Sequence, residues 1–176
     1  LDDLRLSDKD ANEAKTMNTH LHILEAYTNL YKAYPHPSIY KALKELIHCF
    51  LERFIDPATH HLHLFFDENW QLKSEEISFG HDIEASWLLV KAAEVLGDAA
   101  LLAQIKTVAL KIADATLLKG VTKDGRIYNE SKPNTPIDKA CHWWQPAESI
   151  VGLLNAYQLS EEDKYLETAL LHWEFI

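Results

Sequence analysis

The chain has 176 residues, 47% hydrophobic and 25% charged, enough for one domain with an enclosed core. A formal charge of -10 argues against a phosphate-rich partner such as nucleic acid, which needs clustered Lys and Arg, and favours a neutral small molecule. No run approaches the ~20 apolar residues that span a bilayer and no leader opens the chain, so no membrane role is expected. Cys49 and Cys141 stand far apart, which points to reduced thiols and a cytoplasmic setting rather than a disulfide framework.

In chain order, a first helix is expected from about Asn18 to Tyr34, stopped by Pro35 and Pro37, and a second from Ser38, as N-cap, to about Phe54. The alternation around His63-Leu64-Phe65-Phe66, a turn at Asp67-Glu68-Asn69 and a resumed run to Phe79 suggest a short hairpin. A third helix covers about Asp82 to Leu96 and ends at Gly97; a fourth covers about Ala99 to Lys119 and ends at Gly120. After the polar segment Thr122 to Lys139, a fifth helix carries Pro146 near its first turn and a sixth begins around Ser160. The chain opens without Met and stops at Phe175-Ile176 inside a helical pattern, so it is expected to be a fragment.

His22-Ile23-Leu24-Glu25, His81-Asp82-Ile83-Glu84 and Gln145-Pro146-Ala147-Glu148 recur at intervals of about 60 residues, each near the start of a helix pair. The first helix of each pair is rich in small and aromatic residues, while the second carries an ordinary amphipathic stripe such as Leu102, Ile105, Val108, Ala109 and Ile112. Alternating inner and outer helices produce that contrast. A closed ring of such pairs is an alpha/alpha barrel, of which three pairs make half.

His22 with Glu25 and His81 with Glu84 share a His-x-x-Glu spacing, which puts both groups on one helical face, where the carboxylate can orient the imidazole and raise its basicity. Two such imidazoles on neighbouring inner helices would converge on one cavity and could remove and return a proton beside a carbonyl. The competing reading is a structural histidine bonded to a carboxylate. Trp143-Trp144 with Glu148, and Trp87 on the His81 helix, form a second constellation: indoles stack on sugar rings and their N–H groups bond hydroxyls, although paired aromatics at a helix start also serve as core packing. His60, His61 and His63 fall at no zinc spacing and read as surface histidines.

Asn18 to Thr28, Gly80 to Leu89, and Trp143-Trp144 followed by Ala147-Glu148 resemble three signature blocks of cellobiose 2-epimerases, within the N-acylglucosamine 2-epimerase superfamily. The resemblance implies an all-α (α/α)6 barrel, of which residues 1–176 are a central part about half the ring in extent, with the site in the inner funnel. It implies that His81 is one of two acid/base histidines, supported by Glu84, and that His22 and Asn18 surround the C1 and C2 oxygens, with His22 assisting ring opening. Trp144, Glu148 and Trp87 would contact the sugar. The second acid/base histidine is expected beyond Ile176, and a substrate-binding arginine before Leu1. Gln145 is followed here by Pro146, a departure from the usual third block.

The implied reaction inverts C2 of the reducing-end glucose of a β-1,4-linked disaccharide through an enediolate, with neither metal nor nicotinamide. N-acylglucosamine 2-epimerisation and aldose-ketose isomerisation are the nearest alternatives. An inverting glycoside hydrolase would instead need two carboxylates about 6.5–9.5 Å apart across the scissile bond. Outside enzymology, an inactive fragment would act only as a binding module, covering its open edges by self-association or by the rest of the parent chain.

Overall fold

The computed structural model describes residues 13–140 and 142–175, the side chain of Phe175 excepted. The expectations that concern Leu1-Asp2-Asp3, Cys141 and Ile176 lie outside the described residues. Within them, helix α1 (Met17–Ala33) starts where the Thr16 hydroxyl accepts the Thr19 N–H at 3.2 Å, and it stops before Pro35. Helix α2 (Pro37–Cys49) has Pro37 in its first turn, where a missing N–H costs nothing. Its cap is not the expected Ser38: the His36 ring accepts the Ser38 N–H at 3.3 Å, because proline fixes the helix start two residues earlier. The expected continuation to Phe54 is a π-helical turn, Phe50–Phe54, in which Ile55 N–H reaches Phe50 O at 3.0 Å.

Helix α3 (Phe79–Leu96) ends at Gly97 with φ 71°, the left-handed cap that the sequence suggests. Helix α4 (Ala99–Gly120) is capped by Asp98, whose carboxylate accepts the Leu101 N–H at 3.1 Å. Gly120 is its last helical residue rather than a left-handed cap; a Cβ there would stand 2.6 Å from the Phe79 ring, so close packing explains this glycine. Helix α5 (Trp144–Ser160) is followed by Glu161 at φ 61°, so α6 (Asp163–Phe175) begins a few residues later than expected.

Helices α1/α2, α3/α4 and α5/α6 pack as successive pairs, and α1, α3 and α5 lie side by side. Their contact is close because the inner helices carry small residues: a Cβ on Gly152 of α5 would meet Ile83 of α3 at 2.6 Å. One core gathers Leu21, Leu24, Leu43, Ile47, Leu89 and Ile105. A second gathers Phe79, Ile83, Leu153 and Tyr165. Burial of these side chains supplies most of the drive to fold, at roughly 1.5–3 kcal/mol for each large one.

The hairpin expected between His61 and Phe79 forms in short form around its turn, and two short ribbons tie its flanks to distant segments. Strand β1 (Lys15–Thr16) pairs antiparallel with β2 (Phe65–Phe66), and β3 (Ile77–Ser78) pairs antiparallel with β4 (Glu130–Ser131). Within 61–79 the bridge Phe66–Leu72 closes the expected turn, with the Asp67 N–H donating to Gln71 O at 3.1 Å and the Lys73 N–H to Phe65 O at 2.9 Å. Alternation identifies a strand but not its partner, and both partners come from distant segments. No helix among the described residues is long and apolar enough to cross a membrane.

Candidate active site

The two ribbons hold the N-terminal ends of α1 and α3 around a cleft of about 610 Å³. Thr16, Asn18, Ser78, His81, Glu76, Glu130 and Lys132 bring polar groups to it, and Met17, Leu64 and Phe65 give it an apolar wall. A few polar groups on an apolar wall suit a small neutral ligand.

His81 is the most constrained of these groups. Its Nδ1 lies 2.7 Å from the buried Ser78 hydroxyl, and its ring packs at 4.9 Å from that of Trp144. With Nδ1 engaged, Nε2 is the nitrogen left for a ligand. Burial, then the nearby His22, pushes the imidazole down to about 4, so it is neutral and able to accept a proton at neutral pH. The expected support from Glu84 is replaced by Ser78, which reaches the ring from the residue before the helix. Gly80 makes room for the stack: a Cβ there would lie 2.6 Å from the Trp144 ring.

Glu84 instead lies within electrostatic reach of the glutamates of the other two blocks, Glu148 and Glu25. Burial, then Glu148 and Glu25, push the buried Glu84 up to about 8, so its carboxyl is protonated at neutral pH and can donate a hydrogen bond. Glu148 accepts the Trp87 indole N–H at 3.0 Å, joining α3 to α5. His22 lies at the exposed end: its Nδ1 is 3.5 Å from Glu25, with the two side chains 56% and 46% exposed. Asn18 and His81 thus line the cleft, Trp144 backs His81, and His22, Glu84, Glu148 and Trp87 follow along the inner helices. Trp143 points away, 84% exposed. Gln145 has a scaffolding role before Pro146, accepting the His142 N–H at 3.0 Å and donating to Asn129.

Several cleft residues escaped the sequence reading. Ser78 stands three residues before His81, a spacing that could have identified it. Glu76, Glu130 and Lys132 were not recoverable, because only the β3/β4 register brings them together. The Glu76 carboxylate and Lys132 pair at 2.8 Å, while burial and a hydrogen bond with Glu76 push Glu130 up to about 7. His61 corrects the surface reading of its cluster: it is 2% exposed, with Nδ1 2.7 Å from the buried Asp82 carboxylate. Among the described residues, no group of three or more His, Cys, Asp or Glu is arranged to hold a metal ion.

Known proteins share this architecture. The model of the N-acylglucosamine 2-epimerase (GlcNAc 2-epimerase) family matches residues 4–176. A cellobiose 2-epimerase of Bacteroides fragilis is 50% identical over 175 residues, which cover 99% of this chain and 44% of that protein. The crystal structure of a sugar epimerase from a ruminal bacterium superposes with a TM-score of 0.93 at 40% identity, covering 100% of this chain and 45% of that one. The cellobiose 2-epimerase structure from Bacillus thermoamylovorans gives a TM-score of 0.89 at 37% identity, covering 97% and 43%. The chain therefore spans less than half the length of these relatives, and its three helix pairs belong to an (α/α)6 barrel. By its match to the family model from residue 4 to 176, and by its helix pairing, the chain belongs to the N-acylglucosamine 2-epimerase family.

Proposed function

We propose that this chain is the central part of a longer sugar 2-epimerase that inverts C2 of the reducing-end glucose of β-1,4-linked disaccharides, cellobiose becoming glucosyl-mannose. The observation that carries the reading is His81: a neutral, half-buried imidazole, held at Nδ1 by Ser78, backed by Trp144 and facing a polar cleft. The relatives described as cellobiose 2-epimerases support the substrate class.

In the proposed reaction the sugar ring opens, which makes the C2–H acidic through the adjacent aldehyde. Asn18 and His22 bond the C1 and C2 oxygens, and His22 assists ring opening. His81 removes the C2 proton, leaving an enediolate whose oxygen charge is stabilised by hydrogen-bond donors in a desolvated pocket. Protonated Glu84 fits such a donor role, while Trp144, Trp87 and Glu148 hold the sugar. Rotation about C2–C3 presents the other face, and a second histidine outside this chain returns a proton there. No step draws on a metal or nicotinamide.

The 176-residue chain alone lacks that second proton donor in this scheme, and it is proposed to be inactive. Ile23, Tyr27, Leu30 and Tyr34 form an exposed apolar stripe along α1, and Leu170, Leu171 and Trp173 are exposed on α6, so self-association is expected in isolation. Incubating the full-length enzyme with cellobiose and resolving the products by chromatography tests the main reading. Glucosyl-mannose is expected; a ketose product would favour aldose-ketose isomerisation, and free glucose would favour hydrolysis. For the chain alone, sedimentation should find association, and a soluble monomer that epimerises cellobiose would contradict the second half of the proposal.

A further inference from the structure

The residues assigned to proton transfer sit on α3, while those assigned to the C1 and C2 oxygens sit on α1. The segment 61–66 runs between the two helix ends. At one end the Asp82 carboxylate accepts the His61 Nδ1–H at 2.7 Å and the Leu62 N–H at 2.9 Å. In the middle, Leu64 O accepts the Met17 N–H at 2.8 Å, and at the other end Phe65 and Phe66 pair with Thr16 and Lys15. Leu64 and Phe65 are themselves part of the cleft wall, and Asp82 is the neighbour of His81. A short chain of hydrogen bonds therefore leads from the His81 turn to the Asn18 turn.

We propose that the buried Asp82–His61 pair is a positioning pair, which fixes the His81 turn of α3 relative to the Asn18 and His22 turn of α1 by anchoring segment 61–66. The proposal rests on the epimerase reading. Both side chains are almost wholly buried, and His61 Nε2 has no partner among the described residues. A well-packed apolar pair would fill such a site without an unsatisfied nitrogen or a desolvated carboxylate, so stability alone is a poor reason for these residue types. Burial pushes the Asp82 carboxyl up, and the hydrogen bonds from His61 and Leu62 oppose that shift. Reacting groups must be held within a fraction of an ångström, and a displacement of about 1 Å can cost roughly 100-fold in rate.

The test uses the full-length enzyme with Asp82→Ala and Asp82→Asn, assayed on cellobiose well below the melting temperature of each variant. In Asp82→Ala both anchors are lost, and kcat per folded molecule is expected to fall by about 10- to 100-fold with KM changing far less. Asp82→Asn keeps an acceptor for Leu62 N–H and lets its amide donate to His61, so it should recover part of the lost rate. A folded Asp82→Ala enzyme with wild-type kcat, or one that loses only KM, would overturn the proposal. If Asp82→Ala does not fold, His61→Phe retains the bulk and the Leu62 anchor; reduced kcat at unchanged KM supports the proposal, and wild-type kcat overturns it. Wild-type enzyme that leaves cellobiose unchanged would instead remove the epimerase reading beneath it.

Discussion

The His22–Glu25 and His81–Glu84 pairs have the same spacing and occupy equivalent places on adjacent inner helices, yet their chemistry differs. In α1 the pair is half exposed and its two members meet at 3.5 Å, as an ordinary surface contact does. In α3 His81 is half-buried and Glu84 buried, and they do different things: His81 is held by Ser78 and Trp144, and Glu84 feels the charges of Glu148 and Glu25. The cause lies in the neighbours. Helix α3 packs against α1, α2, α4 and α5, whereas α1 packs against α2 and α3 among the described residues. Spacing puts groups on one face; the surrounding helices set their protonation state and their partners.

The largest expected effect follows from removing the constrained member. His81→Ala in the full-length enzyme should lower kcat for epimerisation by about 10² to 10⁴ while the far-ultraviolet circular dichroism spectrum stays unchanged, as loss of a general base does. Gly80→Ala should come next, because its Cβ would meet the Trp144 ring at 2.6 Å and the Gln145 side chain at 2.8 Å. Overpacking of that kind costs about 1–3 kcal/mol, read as a lower denaturation midpoint, and should displace Trp144 from His81.

The buried Glu84 and its neighbour His81 are read through pH. Glu84 titrates near 8 in the folded chain against 4.5 ordinarily, so the folded state keeps a proton that the unfolded state releases. Its contribution to stability is present below the unfolded value and is lost as pH rises through about 8. Glu84→Gln should therefore flatten the fall in melting temperature between these limits. His81 has the opposite sign: its folded value near 4 lies below the ordinary 6.5, so its share of stability declines as pH falls across that window. The smallest effect belongs to Glu25→Gln, where loss of an exposed contact should change stability by less than about 0.5 kcal/mol in chemical denaturation. An effect on the scale of Gly80→Ala there would break the contrast between the two pairs.

Much of this fold was legible. Gly97 and the proline at position 35 punctuate helices whose apolar patterns are long, and the repeated blocks marked α1, α3 and α5 as one layer. What was illegible depended on partners far along the chain. The strand-like run around Phe65 carried no sign that Lys15 and Thr16 would complete it, and nothing in the polar segment near Glu130 tied it to Ser78. His61 read as a surface residue because its cluster has no zinc spacing and its segment reads as a turn entering a strand, while Asp82 and Phe79 on α3 enclose it. For the site, the blocks pointed to Asn18 and His81, which line the cleft, and to Trp144, which packs on His81, while helical spacing and the resemblance alike pointed to Glu84 as the partner of His81. A hydroxyl just before the helix turned out to be nearer.

The most direct test of His81 as an acid/base group is the fate of the C2 hydrogen. Full-length enzyme would be incubated with cellobiose in deuterium oxide, and the recovered sugars examined by proton nuclear magnetic resonance. The account predicts solvent deuterium at C2 of the glucosyl-mannose formed, and loss of that incorporation in His81→Ala. Product that forms with C2 unlabelled, or labelling that persists undiminished in His81→Ala, would contradict proton transfer through this histidine.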